Sequence, residues 1–129
     1  MKLIMLGTGN AMVTKCFNTC FVMEDHNGYF LVDTGGGNRI LSALEDVNVP
    51  VDDIHDIFLT HEHVDHLIGI IWLIRYAASK MNKGKYNGDL RIYCHQDLVN
   101  TILTICGLTL QKKMTKFFGK RIFLIGVED

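Results

Sequence analysis

The stretch from residue 54 to about residue 79 constrains the fold of this chain more than any other. Residues 54–60 predict a short strand, and the consecutive apolar residues Ile57, Phe58 and Leu59 are typical of a strand buried on both faces. A polar loop follows at 61–66, and apolar residues then recur at helical spacing from Leu67 onward. A buried strand therefore leads through a histidine-rich loop into an amphipathic helix.

The rest of the chain predicts a mixed sheet of the α/β (α+β) class with flanking helices. Asn27-Gly28 between two apolar runs is a strong hairpin signal, so the sheet begins as an antiparallel meander. Strands and helices then alternate, which favours parallel neighbours. The strands are expected at 2–6, 17–24, 28–33, 54–60, 90–94 and 121–125. Helices are expected at 38–46, 67–79 and 98–105, the last ending at Gly107, with a short amphipathic segment near 110–117.

Length and composition exclude several classes of protein. The 129 residues, 48% of them apolar, suit at most one folded domain. No apolar run approaches the roughly 18 residues that cross a bilayer, and the N-terminus lacks the pattern of a signal peptide. We therefore expect a cytoplasmic protein with no membrane partner. Its four cysteines (Cys16, Cys20, Cys94 and Cys106) are expected to be free thiols.

The net charge of −1 conceals a marked asymmetry along the chain. Residues 1–74 contain three Lys/Arg and ten Asp/Glu, whereas residues 75–129 contain ten Lys/Arg and four Asp/Glu. The basic residues are densest at Lys112, Lys113, Lys116, Lys120 and Arg121. A solvated surface is the default interpretation, and we favour it. The alternative is a cationic face for an anionic ligand, so nucleic acid stays possible without being assigned.

Residues 61–66 carry the chemistry, since three of the six histidines and two carboxylates fall there. His61 and His63 are two residues apart, so in an extended segment their side chains point the same way and can bind one cation. The side chains of Asp65 and His66 are expected to point in another direction, where they can bind a second cation. Imidazole and carboxylate suit Zn²⁺, and imidazole also suits Fe and Ni. The alternative is a solvated loop without a function. We favour a metal site, because the histidine motif lies between a buried strand and an amphipathic helix.

The motif His61-x-His63-x-Asp65-His66 resembles the signature of the metallo-β-lactamase superfamily. Three further segments are similar to its ribonuclease Z-like branch: residues 6–10, residues 33–37 with the Asp-x-Gly turn, and residues 57–60 leading into the histidines. The resemblance covers residues 1 to about 79 well and the remainder only loosely.

This resemblance implies an αββα sandwich with two metal ions, normally Zn²⁺, although Fe, Mn or Ni are possible. His61 and His63 would bind the first ion, and Asp65 and His66 would bind the second. Asp65 would also be the catalytic, proton-handling residue, and Asp33 would orient a ligand loop. The reaction would be attack by a metal-activated hydroxide, most suitably on a phosphodiester of RNA or of a small cyclic or organic phosphate.

Complete members carry further ligands: a third His, a bridging Asp and a last His. His95 is the one downstream histidine in the sequence, and it stands in no such motif; we interpret it as a helix-start residue, with a stray ligand as the alternative. We therefore expect residues 1–129 to be the N-terminal part of a single hydrolase domain whose C-terminal half is absent. Alone, this chain is expected to be inactive, with partial or no metal occupancy. An apolar sheet face left bare predicts a homo-oligomer or association through that face. The alternative function is an incomplete half-domain that mainly self-associates.

Overall fold

The computed structural model describes residues 1–7, 20–60 and 67–128, which form six strands and four helices. The strands are β1 (Lys2–Gly7), β2 (Cys20–Asp25), β3 (Gly28–Val32), β4 (Ile54–Phe58), β5 (Leu90–His95) and β6 (Ile122–Val127). The helices are α1 (Arg39–Asp46), α2 (Gly69–Asn82), α3 (Gln96–Thr109) and α4 (Lys112–Thr115), and a 3₁₀ turn, Val51–Asp53, precedes β4. Within these residues, none of the helices has the length and apolar character needed to cross a bilayer.

The six described strands form one mixed sheet in chain order, from β1 at one edge to β6 at the other. β1, β2 and β3 are antiparallel neighbours, and β3, β4, β5 and β6 are parallel neighbours. In the hairpin between β2 and β3, the Asn27 N–H donates to Oδ1 of Asp25 at 2.7 Å. Gly28 has a φ of 126°, a backbone conformation that residues with a side chain rarely adopt. The mixed sheet and the hairpin expected from the sequence are therefore confirmed.

Helix α3 corrects one boundary, because it continues through Gly107 to Thr109. A glycine inside a helix costs only about 1 kcal/mol, which packing elsewhere on the helix offsets. Ile102 and Cys106, both fully buried, supply that packing. The helix then ends with a hydrogen bond of 2.8 Å from the Leu110 N–H to the Cys106 carbonyl oxygen. The expectation that Gly107 stops the helix was wrong.

The hydrophobic core lies between one face of the sheet and the helices. Leu31 and Ile57, paired on β3 and β4, are fully buried on that face. Phe58 points to the opposite face and is only partly buried, and none of the described helices covers it. The prediction that this strand is buried on both faces is therefore wrong for the described residues.

Candidate metal centre

The predicted ligands His61, His63, Asp65 and His66 lie outside the described residues, so their positions stay predictions. The residues on both sides of them are described, and they define where this loop begins and ends. Among the described residues, no group of three or more His, Cys, Asp or Glu side chains could hold a metal ion. The described part of the candidate site consists of the residues that hold the two ends of the 61–66 loop, and we call these residues its anchors.

Asp33 lies directly after β3, where the sheet meets this loop. Its backbone N–H donates to the Phe58 carbonyl oxygen at 2.8 Å, which ties the ends of β3 and β4 together. Its φ of 62° lies in the left-handed region, which is uncommon for a residue with a side chain. Surrounding contacts must hold such a conformation in place. In this turn, the hydrogen bonds to the Asp33 carboxylate supply those contacts.

The Asp33 carboxylate holds the N-terminal end of the loop. Oδ1 accepts a hydrogen bond from the Thr60 backbone N–H at 2.8 Å, and Oδ2 accepts one from Thr60 Oγ1 at 2.7 Å. Asp33 itself is 5% exposed, so these bonds form largely away from water. Two bonds from one carboxylate to one residue fix both the position and the rotation of Thr60, which immediately precedes His61.

The next two residues of the same turn hold the C-terminal end of the loop. Thr34 Oγ1 donates to the Leu67 carbonyl oxygen at 3.2 Å, and the Gly69 N–H donates to the Gly35 carbonyl oxygen at 2.8 Å. A Cβ at Gly69 would lie 1.9 Å from the Thr34 carbonyl oxygen, so this approach requires glycine. The turn at 33–35 thus fastens both ends of the 61–66 loop within a few residues of each other.

Cys20 adds a buried thiol beside this turn. It is a free cysteine, 1% exposed, and burial first and the nearby charge of Asp33 second raise its pKa to about 12. The thiol therefore stays protonated at neutral pH and offers neither a thiolate ligand nor a nucleophile. Cys94 and Cys106 are likewise free and buried, which confirms the expected thiols at these three positions; Cys16 lies outside the described residues.

Of the three described histidines, His26 is exposed in the hairpin turn, whereas His55 and His95 have structural contacts. His55 Nδ1 lies 2.9 Å from the Asp89 carbonyl oxygen and 3.1 Å from the Tyr86 hydroxyl. His95 caps α3, since its Nδ1 accepts a hydrogen bond from the Asp97 N–H at 3.1 Å. His95 is therefore the helix-start residue that the sequence predicts.

Sequence reasoning singled out Asp33 but missed Thr60, Thr34 and Gly69 as anchors. Their roles use a hydroxyl, a backbone N–H and an absent side chain, and none of these leaves a distinctive pattern in a single sequence. One signal was available: Thr60 and Leu67 are the residues that directly flank the histidine motif. Any fold that presents the motif must fix those two positions.

The six-stranded mixed sheet with its flanking helices matches the metallo-β-lactamase fold. The metallo-β-lactamase fold protein YhfI from Bacillus subtilis superposes with a TM-score of 0.70 at 21% identity. That alignment covers 98% of this chain and 46% of that chain. The fold expected from the sequence is therefore confirmed.

The family model described as anti-Pycsar protein Apyc1 matches residues 1–117, and the chain belongs to this family. Apyc1 of Bacillus phage 010DV004 is 37% identical over 71 residues, covering 54% of this chain and 27% of that protein. Ribonuclease Z of Methanococcus aeolicus is 34% identical over 109 residues, covering 81% of this chain and 31% of that protein. The chain thus spans less than a third of each of these relatives.

Proposed function

We propose that this chain is the N-terminal part of a metal-dependent hydrolase that cleaves phosphodiester bonds. His61, His63, Asp65 and His66 would hold its metal ions, with Asp65 as the catalytic proton carrier. The observation that carries the proposal is the turn at 33–35, which fastens the loop at Thr60 on one side and at Leu67 on the other. The two residues that flank the motif are thus held by one turn, and a metal centre requires its ligands to be supported by such fixed neighbours.

The donor set fits Zn²⁺, because imidazole nitrogen and carboxylate oxygen are its usual ligands beside thiolate. When bound, Zn²⁺ lowers the pKa of a coordinated water to about 7 and polarises a phosphoryl oxygen. Asp33 would act as a positioning residue through Thr60. Residues of this kind, which orient ligands without touching the metal, typically change metal affinity by about 10- to 100-fold when removed.

Two substrate classes fit the proposed reaction: RNA, and small cyclic or organic phosphates. We favour a small cyclic phosphate, because the family model that matches most of the chain, residues 1–117, is that of Apyc1 and not that of a ribonuclease. The ribonuclease Z relative supports RNA as the other class. Parallel assays of the complete protein with a cyclic mononucleotide and with a single-stranded RNA separate them. Preferential cleavage of the RNA would reject our choice.

The metal assignment is tested in the complete protein with two substitutions and one control. We expect His63→Ala to remove most bound zinc and most hydrolysis of bis-p-nitrophenyl phosphate. Asp33→Ala should lower zinc affinity about 10- to 100-fold through the freed loop. Asp97→Ala is the matched control, since it also removes one carboxylate and its side chain is 89% exposed. Full zinc content and turnover in His63→Ala would contradict the proposal.

The second candidate is an incomplete half-domain that associates through the sheet face opposite the helices. Phe30 and Tyr93 stack there with their ring centroids 6.4 Å apart. Leu3 is 60% exposed and Met5 is 45% exposed on the same face at the β1 edge. Leu3 pairs with Met23, which in turn pairs with Phe30, so an apolar row runs from β1 to β3 on this face.

Self-association of the 129-residue chain is tested by sedimentation over a range of concentrations. Phe123 pairs with Arg91, which shares the face of Tyr93 on β5, so Phe123→Lys places a charge on the uncovered face and should weaken association at least tenfold. Leu108→Lys is the control, because Leu108 is 82% exposed on α3, away from that face. A chain that stays monomeric at all concentrations, or equal effects of both substitutions, would reject this candidate.

A further inference from the structure

Two basic segments meet at the C-terminal end of α2, far along the helix from the candidate metal centre. Residues 75–88 contain four Lys/Arg and no Asp/Glu, and residues 110–127 contain five and none. The Lys116 ammonium donates to Asn82 Oδ1 at 3.0 Å. Arg121 Nη2 donates to the carbonyl oxygens of Tyr86 and Gly88, both at 2.7 Å. Segments that are 20 or more residues apart in sequence therefore form one surface.

We call this region the basic surface, defined by Arg75, Lys80, Lys83, Lys85, Lys112 and Lys116. Part of it is concave: Arg75, Tyr76, Ser79, Lys80, Lys83 and Lys85 line a cavity of about 300 Å³. A concave site lined by one sign of charge raises the local concentration of counter-ions.

Only one cation of this cavity is neutralised by a described residue. The Lys80 ammonium lies 3.4 Å from Asp52 Oδ2 and 5.4 Å from the centre of the Tyr76 ring. Among residues 1–7, 20–60 and 67–128, no ion pair involves Arg75 or Lys83. An anion entering the cavity would therefore meet charges without protein partners there.

Tyr76 also borders a second, more apolar depression. An open groove of about 440 Å³ is lined by Leu41, Glu45, Asn48, Val49, Pro50, Val51 and Tyr76. Tyr76 is only partly buried and belongs to both openings. An aromatic ring between a cationic cavity and an apolar groove can stack a base while the cations hold its phosphate.

We propose that the basic surface binds single-stranded nucleic acid, with a phosphate in the cavity and an unpaired base against Tyr76. A duplex keeps its bases stacked inside, so it cannot present one to the groove. The cavity is separate from the anchors of the 61–66 loop, because Arg75, its lining residue nearest to Gly69 in sequence, stands six residues further along α2, about 9 Å along the helix axis. The proposal does not depend on the proposed hydrolase activity.

Binding is measured by fluorescence anisotropy with a labelled ten-nucleotide oligodeoxythymidine in the presence of EDTA, from 50 to 200 mM salt. We expect Lys85→Glu to weaken binding about tenfold, and the slope of log K against log salt to fall by about 0.7 for the lost phosphate contact. Lys2→Glu is the matched control, since it changes net charge equally at an exposed position on β1. It should change affinity less than twofold. Equal weakening by both substitutions, or no binding by the unmodified chain at 50 mM salt, would overturn the proposal.

Substitutions at Tyr76 separate recognition of a strand from recognition of phosphate alone. Tyr76→Leu should weaken binding about tenfold, whereas Tyr76→Phe keeps the ring and should retain the affinity. Inorganic tripolyphosphate and a duplex of the same length should compete less well than the single strand. Unchanged affinity in Tyr76→Leu, or equally strong competition by tripolyphosphate, would mean that only the anion is recognised and would overturn the nucleic-acid assignment.

Discussion

The two faces of the sheet are built from alternate residues of the same strands, yet the described helices cover only one of them. On the covered face, Leu31 and Ile57 are completely buried. On the other face, Phe58 is partly exposed, and Leu3 and Met5 are 60% and 45% exposed. Both faces carry large apolar side chains, although only one of them has a core. The pattern of the strands thus suits a sheet with two buried faces, whereas the described residues bury one.

Adjacent residues of β4 give the largest expected contrast between the faces. Ile57→Ala should lower the free energy of unfolding by about 3 kcal/mol, because it leaves a cavity in a closed core. Phe58→Ala removes a larger side chain but should cost only about 1 to 2 kcal/mol, because its ring is partly in water and its removal leaves no closed cavity. Urea unfolding of the 129-residue chain measures both. Similar losses in the two variants would show that a second layer covers the Phe58 face.

The sequence predicted the order and type of the described elements because local patterns encode them. The Asn27-Gly28 hairpin and the helical spacing after Leu67 needed no knowledge of the tertiary structure. The run at Ile57, Phe58 and Leu59 was misleading for the opposite reason. Apolar residues on both sides of a strand show what a sheet can bury, but the elements that cover each face are a tertiary property.

The second contrast tests how closely α2 approaches the turn at 33–35 on the covered side. Gly69→Ala should lower the free energy of unfolding by about 2 kcal/mol, because the new Cβ meets the Thr34 carbonyl oxygen and must displace the turn or the helix. Gly37→Ala is the control in the same segment, since a Cβ there meets nothing within 4 Å. A neutral Gly69→Ala would mean that the turn does not hold the C-terminal end of the loop.

The candidate site could be predicted from the sequence only in its chemistry. The histidines and carboxylates of 61–66 are recognised by residue type, and Asp33, which precedes Thr34 and three glycines, by its resemblance to the Asp-x-Gly turn of the superfamily. The anchors do not, because Thr60 and Gly69 act through their backbones, and their partners lie about 30 residues away in the sequence. Such contacts depend on β3 and β4 being parallel neighbours, which a single sequence does not specify.

An ion pair on the uncovered face reports whether that face is in water. Arg91 donates to Asp56 from Nε at 2.7 Å and from Nη2 at 3.0 Å, and the two side chains are 39% and 28% exposed. Arg91→Met should therefore change the free energy of unfolding by less than about 1 kcal/mol in this chain. If another layer covers the pair, removing one partner should cost about 3 to 5 kcal/mol. Urea unfolding at low and high protein concentration distinguishes these two results.

The smallest expected effect concerns the thiols of the covered face. Burial raises the pKa of Cys20 to about 12 and that of Cys106 to about 11, from an ordinary value of 9.0. A raised thiol pKa means that the folded state favours the protonated form. This contribution to stability is complete below about pH 9 and is lost as the pH rises toward 12. The urea midpoint should therefore decline above pH 9, and less steeply in Cys20→Ala than in the unmodified chain.

The same thiols should be inert to a thiol reagent at pH 8 while the chain is folded, and reactive once urea unfolds it. Cys20→Ala should not alter this behaviour at Cys94 and Cys106, which are buried on the same side of the sheet. Rapid labelling of all three positions in the folded chain would show that the covered face opens readily. The contrast between the two faces would then be one of degree, and Ile57→Ala would have to cost correspondingly less.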